Sequence, residues 1–173
     1  MPPYLSRFPS FYHGYISQVT ENDLKAAFQN HTKRFVDFLA TIPEEKVNYA
    51  YAEGKWTIKE VLQHIIDTER IFCYRALTFA RKDETPLPGF DEDVYAKNSK
   101  ASQRNWKEMI EEFKAVRLAT ELLFQSFDDE QLDASGVANS HSNYVLGIGY
   151  IIAGHCTHHI NIIRERYLNK QPA

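Results

Sequence analysis

Four stretches of this chain carry apolar residues at helical spacing, parted by segments rich in Pro, Gly, Asp and Asn. The spacing predicts helices over about 21–40, 58–81, 102–127 and 143–168. In the first, Leu24, Phe28, Phe35 and Leu39 form the apolar side, Thr20 is the expected N-cap and Pro43 stops the run. In the second, Thr57 followed by Glu60 reads as a capping box ahead of Ile58, Val61, Leu62, Ile65, Phe72, Ala76 and Phe79. Trp106, Met109, Ile110, Phe113, Val116, Thr120, Leu123, Phe124 and Phe127 line the third. Val145, Ile148, Ile152, Cys156, Ile163 and Tyr167 line the fourth. Four amphipathic helices around one core predict an all-α chain: a four-helix bundle forming a single domain over 1–173. The intervening segments are long for a simple up-down bundle, so at least one long crossover connection is expected. The segment 83–95, DETPLPGFDEDVY, reads as a long loop. Its Gly89 permits a sharp turn and its Phe90 is placed to cap an apolar cleft, with a solvated connector as the alternative.

Composition narrows the partners. A formal charge of −3 and a pI near 6.2, without a run of Lys and Arg, do not point to nucleic acid. The longest strongly apolar stretch, from Tyr144 to Gly154, is too short to span a bilayer, so no membrane partner is expected. Two cysteines, Cys73 and Cys156, with no CxxC and no secretory-type leader pattern, suggest free packing thiols in the cytoplasm.

The histidines carry the chemistry. In GHCTHHINII, His155 and His159 are four residues apart and share one helix face, within the stripe of Ile148, Ile152 and Ile163. Each imidazole has a donor and an acceptor to satisfy, and leaving them unpaired costs about 1–3 kcal/mol each. A divalent metal satisfies two at once, and the i, i+4 spacing matches helical metal sites. A pair of core or surface histidines is the competing reading. Position 156 is Cys rather than Glu, so the HExxH mechanism with its general base is not present. His64 falls beside the apolar stripe of the second helix, where a neighbouring helix can cover it; a partly exposed histidine is the alternative. His158 falls on the edge of the fourth stripe, and Asp67 lies one turn from His64; both are candidate supports for a metal site. His13, His31 and His141 read as surface residues.

Two charges sit where apolar residues are expected. Glu69 projects with Ile58, Leu62, Ile65 and Ala76, and Arg117 with Trp106, Ile110, Phe113 and Phe124. Lone buried charges are costly, whereas a bidentate Arg–carboxylate pair is tolerable, so the two are expected to pair across the second and third helices, with each snorkelling to solvent at a bundle edge as the alternative.

Trp56-Thr57 with Glu60 and His64, then Asp67 and Glu69, an Arg in the third helix, and Gly154-His155 with His158-His159 together resemble the DinB-like (YfiT-like) superfamily of candidate metal-dependent enzymes. The resemblance covers about 21–168. It implies a four-helix bundle of unusual connectivity, often a homodimer, with a zinc or nickel ion held by His64, His155 and His159. Among the activities it implies are thiol transfer with bacillithiol or mycothiol and maleylpyruvate isomerisation. An open tris-histidine site can lower the pKa of bound water for hydrolysis, or hold a low-molecular-weight thiol as thiolate for S-transfer. Either way a small-molecule substrate is expected. The contrasting expectation is a non-enzymatic, stress-related scaffold bundle with a structural metal or none.

Overall fold

A computed structural model describes residues 5–169; the ends of the expected 1–173 domain lie outside the described residues. The helices, in chain order, are α1 (His13–Ile16), α2 (Leu24–Ala40), α3 (Ile58–Ala80), α4 (Glu92–Asn98), α5 (Trp106–Gln125), α6 (Asp129–Asp133) and α7 (Val145–Ile162). Strands β1 (Ser135–Ala138) and β2 (His141–Tyr144) form an antiparallel hairpin. The four long helices α2, α3, α5 and α7 are the predicted bundle.

Capping explains where they begin. Asp23, not Thr20, caps α2 by accepting from the Ala26 amide, so that helix starts three residues later than expected. Thr57 and Glu60 form the predicted capping box of α3. Asn105 accepts from the amides of Lys107 and Glu108, which moves the start of α5 from 102 to Trp106. The fourth helix starts at Val145, because Asn143 and Tyr144 are taken up by the hairpin, and Ile163–Leu168 continues it as a π-helix.

Helix α7 packs against α2 and α3, and α5 packs against the same two. The chain therefore passes from α2 to α3, and from α5 to α7, across diagonals of the bundle, which accounts for the long connections. Two departures from the expected loops follow. The segment 83–95 is not all loop: Asp91 accepts from the Val94 amide and opens α4. The polar stretch after α5 folds into α6 and the hairpin, whose two-residue turn, Asn139 and Ser140, has the positive φ angles (51° and 61°) of a tight hairpin turn. Leu87 bridges to this hairpin: its amide donates to the Val137 carbonyl at 2.9 Å and its carbonyl accepts from the Asn139 amide at 3.0 Å.

The core has two apolar halves. One gathers around Phe28, Phe79, Phe124 and Ile152. The other gathers around Phe35, Ile65, Phe113 and Ile160. A polar belt crosses the bundle where they meet: His31 and Thr32 on α2, Glu69 on α3, Arg117 and Thr120 on α5, and His155 to Thr157 on α7. No helix among the described residues is long and apolar enough to cross a membrane.

Candidate metal centre

Within the belt, α3 delivers His64 and α7 delivers His155 and His159 to one buried point. His155 Nε2 lies 3.2 Å from His64 Nε2 and 2.9 Å from His159 Nε2. One ring nitrogen from each of the three falls within a common 4.8 Å. His64 is thus more buried than its place on the helix suggested, because α7 covers it on one side and the Trp56 ring on the other, 4.9 Å away.

Burial sets the protonation. It pulls the His64 imidazole down to about 4, aided by His158. It pushes His155 and His159 well below their ordinary value, and the neighbouring imidazoles push in the same direction. Three neutral imidazoles converge through Nε2. Protons satisfy such an arrangement poorly, and His159 Nδ1 has no hydrogen-bond partner at all. A tetrahedral zinc ion with Zn–N bonds of about 2.0–2.1 Å spaces its ligand nitrogens about 3.3 Å apart, against 3.2 and 2.9 Å here. Neutral histidine is the ligating form. The donor set therefore fits a divalent ion with three protein ligands and a further position open.

The surroundings orient the rings. Thr68 Oγ1 lies 3.4 Å from His64 Nδ1. Tyr15 of α1 packs edge-on against His155, at 5.3 Å between ring centres, and against His158 at 4.9 Å. Helix α1 comes this close because residue 154 is glycine: a Cβ there would meet the Tyr15 carbonyl oxygen at 2.0 Å. His158 is half-buried at the edge of the cluster, with burial and Arg166 lowering its pKa. Asp67 turns elsewhere: it accepts from Gln63 Nε2 at 2.9 Å and faces Arg70. Thr68, rather than Asp67, is the α3 residue that reaches an imidazole.

The structure brings Glu69 and Arg117 together. Arg117 Nε and Nη2 donate to the two Glu69 oxygens, each at 2.8 Å, and Thr120 Oγ1 donates to Glu69 Oε1 at 2.7 Å. Arg117 Nη1 donates to Thr32 Oγ1, and Nη2 also reaches Cys156 Sγ at 3.2 Å. Burial opposes the Arg117 charge, but the Glu69 carboxylate outweighs it and keeps the guanidinium protonated. Cys156 is turned away from the histidines, and burial pushes its thiol up to about 11. Cys73 is likewise raised to about 11 and contacts Thr120; both cysteines are free.

His31 corrects the surface expectation. It is 1% exposed, with Nδ1 2.7 Å from Thr157 Oγ1 and Nε2 3.3 Å from Glu21 Oε2. It follows Phe28 by three residues and precedes Phe35 by four, so it shares their buried face.

Two clefts reach the histidines. One, of about 160 Å³, is lined by His155, Tyr12, Phe72, Arg75, Phe90 and Glu92. The other, of about 260 Å³, runs along His159 past Trp56, Asp93 and Tyr167. Phe90, from the 83–95 segment, is among the residues that line the first cleft. The first turn of α4 also sets one carboxylate on each cleft, a feature that the sequence reading of this segment as loop did not reveal. Glu92 stands at the rim of the first, its carboxyl pushed up by partial burial and by Asp93 and Asp91. Asp93 Oδ1 accepts from Trp56 Nε1 at 3.0 Å on the second.

Diagonal crossovers in the bundle and three converging imidazoles define a class, and the comparisons agree: residues 27–163 match the family model of the DinB superfamily, and the chain belongs to that family. A curated protein of Oceanobacillus iheyensis, named as a candidate metal-dependent hydrolase, is 30% identical over 69 residues. That stretch spans 39% of each chain. The fold is similar to YfiT from Bacillus subtilis, described as a candidate metal-dependent hydrolase with an unusual four-helix bundle topology. The TM-score is 0.72 and the identity 15%, over 82% of each chain. It is also similar to a mycothiol-dependent maleylpyruvate isomerase (TM-score 0.67, 11% identity), covering 80% of this chain and 58% of the other.

Proposed function

We propose that the protein is a metal-dependent hydrolase acting on a small molecule, with one divalent ion, zinc or nickel, held by His64, His155 and His159. The observation that carries this reading is the convergence of three buried, neutral Nε2 atoms beside open clefts. Bound there, the ion supplies Lewis acidity to a substrate oxygen and to water. The chain's own residues do the rest. Thr68 and Trp56 hold the His64 ring, and Tyr15 holds His155. Phe72 and Phe90 give the first cleft its apolar surface. The Glu92 carboxylate, its pKa raised by partial burial and by Asp93 and Asp91, takes up the proton of the attacking nucleophile and returns it to the leaving group.

Thiol transfer is the second reading, and the likeness to the mycothiol-dependent fold supports it. Both of the chain's own thiols are held in their high-pKa form, so a low-molecular-weight thiol would have to come from outside. The chain is further read as a single cytoplasmic domain over 1–173 acting as a homodimer, which sedimentation of the purified protein checks.

Elemental analysis of purified protein tests the reading first, with one ion per chain expected and none after His155→Ala. Hydrolysis of activated ester and amide probes comes next. Glu92→Gln is expected to lower the rate about 100-fold or more while leaving metal content unchanged. A rate that depends on added thiol would favour transfer. Equal rates in wild type and His155→Ala would leave only the scaffold reading.

A further inference from the structure

The molecule holds two deeply buried arginines outside the histidine cluster. Arg117 is matched bidentately by Glu69. Arg75 is 4% exposed, and no carboxylate forms an ion pair with it among the described residues. Its Nη2 donates to the Pro88 carbonyl at 3.1 Å, and its guanidinium sits by the Phe72 ring, at 5.4 Å, and the Tyr12 hydroxyl. A guanidinium stays charged at any working pH, and a buried charge without a counter-charge is costly. This one lines the same cleft as His155.

Glu92 is the carboxylate that lines that cleft, and it forms no ion pair with Arg75. It stands exposed at the rim, and its carboxyl is pushed up rather than held down as a partner of Arg75 would be. Tyr12, Phe72 and Phe90 line the cleft with Arg75 and His155, as do the polar side chains of Thr68 and Asn139. A buried guanidinium, the His155 imidazole and several rings on one cleft suit a small molecule with a planar anionic group and a body that the rings can contact. Beside the Glu92 carboxyl, a singly charged carboxylate fits better than a doubly charged phosphate.

We propose that Arg75, with the Tyr12 hydroxyl beside it, binds the carboxylate of the small molecule on which the histidine centre acts. The inference rests on the reading of that centre as a metal site. Benzoate is the probe, titrated by calorimetry into full-length, metal-stripped protein, so that the carboxylate has no ion to bind. Benzamide and phenyl phosphate serve as comparisons. Saturable benzoate binding is expected, with benzamide about tenfold weaker or more. Arg75→Met is expected to bring benzoate down to the level of benzamide and leave benzamide unchanged, with Arg75→Lys falling between. Should Arg75→Met fail to fold, Tyr12→Phe is expected to weaken benzoate but not benzamide. No saturable benzoate binding, equal affinity for benzoate and benzamide, or an Arg75→Met protein that binds benzoate like wild type would each overturn the proposal. Tighter binding of phenyl phosphate than of benzoate would overturn the carboxylate assignment. Failure of the metal reading shows separately: a preparation with no ion but with Arg75-dependent benzoate binding keeps the subsite and removes the centre.

Discussion

Two polar clusters share the middle of the bundle and treat their polar atoms in opposite ways. Around Arg117, each side-chain nitrogen donates, both Glu69 oxygens accept, and Thr32, Thr120 and Cys156 close the remaining gaps. Around His155, three imidazole Nε2 atoms crowd one another and His159 Nδ1 has no partner. The neighbours on α7 divide the work: Cys156 belongs to the first cluster, and His155 to the second. A network complete within the chain fixes how helices pack. A network short of partners is built for something that arrives.

The sharpest break of this contrast is in the complete cluster. Arg117→Met leaves the Glu69 carboxylate buried and alone, and is expected to cost about 3–5 kcal/mol in urea denaturation. Combining it with Glu69→Leu should restore most of that loss. If Arg117→Met alone unfolds at the wild-type urea concentration, the cluster is not the scaffold described.

Acid acts next, and on the other cluster. The folded chain keeps His64 at about 4, whereas an unfolded imidazole titrates near 6.5. Below 6.5 the unfolded state takes up a proton that the folded state refuses, so stability is complete above that pH and falls as pH drops toward 4. His64 alone accounts for up to about 3 kcal/mol by this linkage, and His155 and His159 act in the same direction. Metal-stripped protein is therefore expected to melt lower at pH 5 than at pH 7; a flat profile would contradict the buried neutral triad.

A smaller effect has the opposite sign. His159→Leu removes an unsatisfied nitrogen from the core and should leave metal-free protein as stable as wild type, or more stable by about 1–2 kcal/mol. It should also abolish metal binding. A large loss of stability would mean that the triad serves packing after all. Smallest is Thr68→Val, expected to weaken metal affinity about tenfold by releasing His64 Nδ1, with little change in melting temperature.

Much of this contrast is written in the sequence. Helical spacing marks the four long helices, because each buries a wide face over many turns, and it places Glu69 and Arg117 among apolar residues, where only a pair can survive. His155 and His159 follow from the same arithmetic. The short elements are not legible. Helix α4 and the hairpin are too brief to carry a period, and they hold because Leu87 ties one segment to the other. Glu92 and Asp93 are therefore invisible as neighbours of the histidines until the chain is folded, whereas Arg75, three turns beyond His64 on the same face of α3, was within reach of helical arithmetic. Thr68 was within reach, since it lies four residues beyond His64 and on its face.

The bare backbone at Gly154 has a wider consequence. It lets a piece of chain lying ahead of the family-matched residues 27–163 lean on the helix that carries two of the three histidines. Tyr12 and Tyr15 thus join the cleft from ahead of those matched residues, while Phe72, Arg75 and Phe90 join it from within them, so the guest's surroundings are drawn from both stretches of chain. A designer could rewrite Tyr12 to admit a new guest, provided that Tyr15 stays to seat His155 and position 154 keeps no side chain.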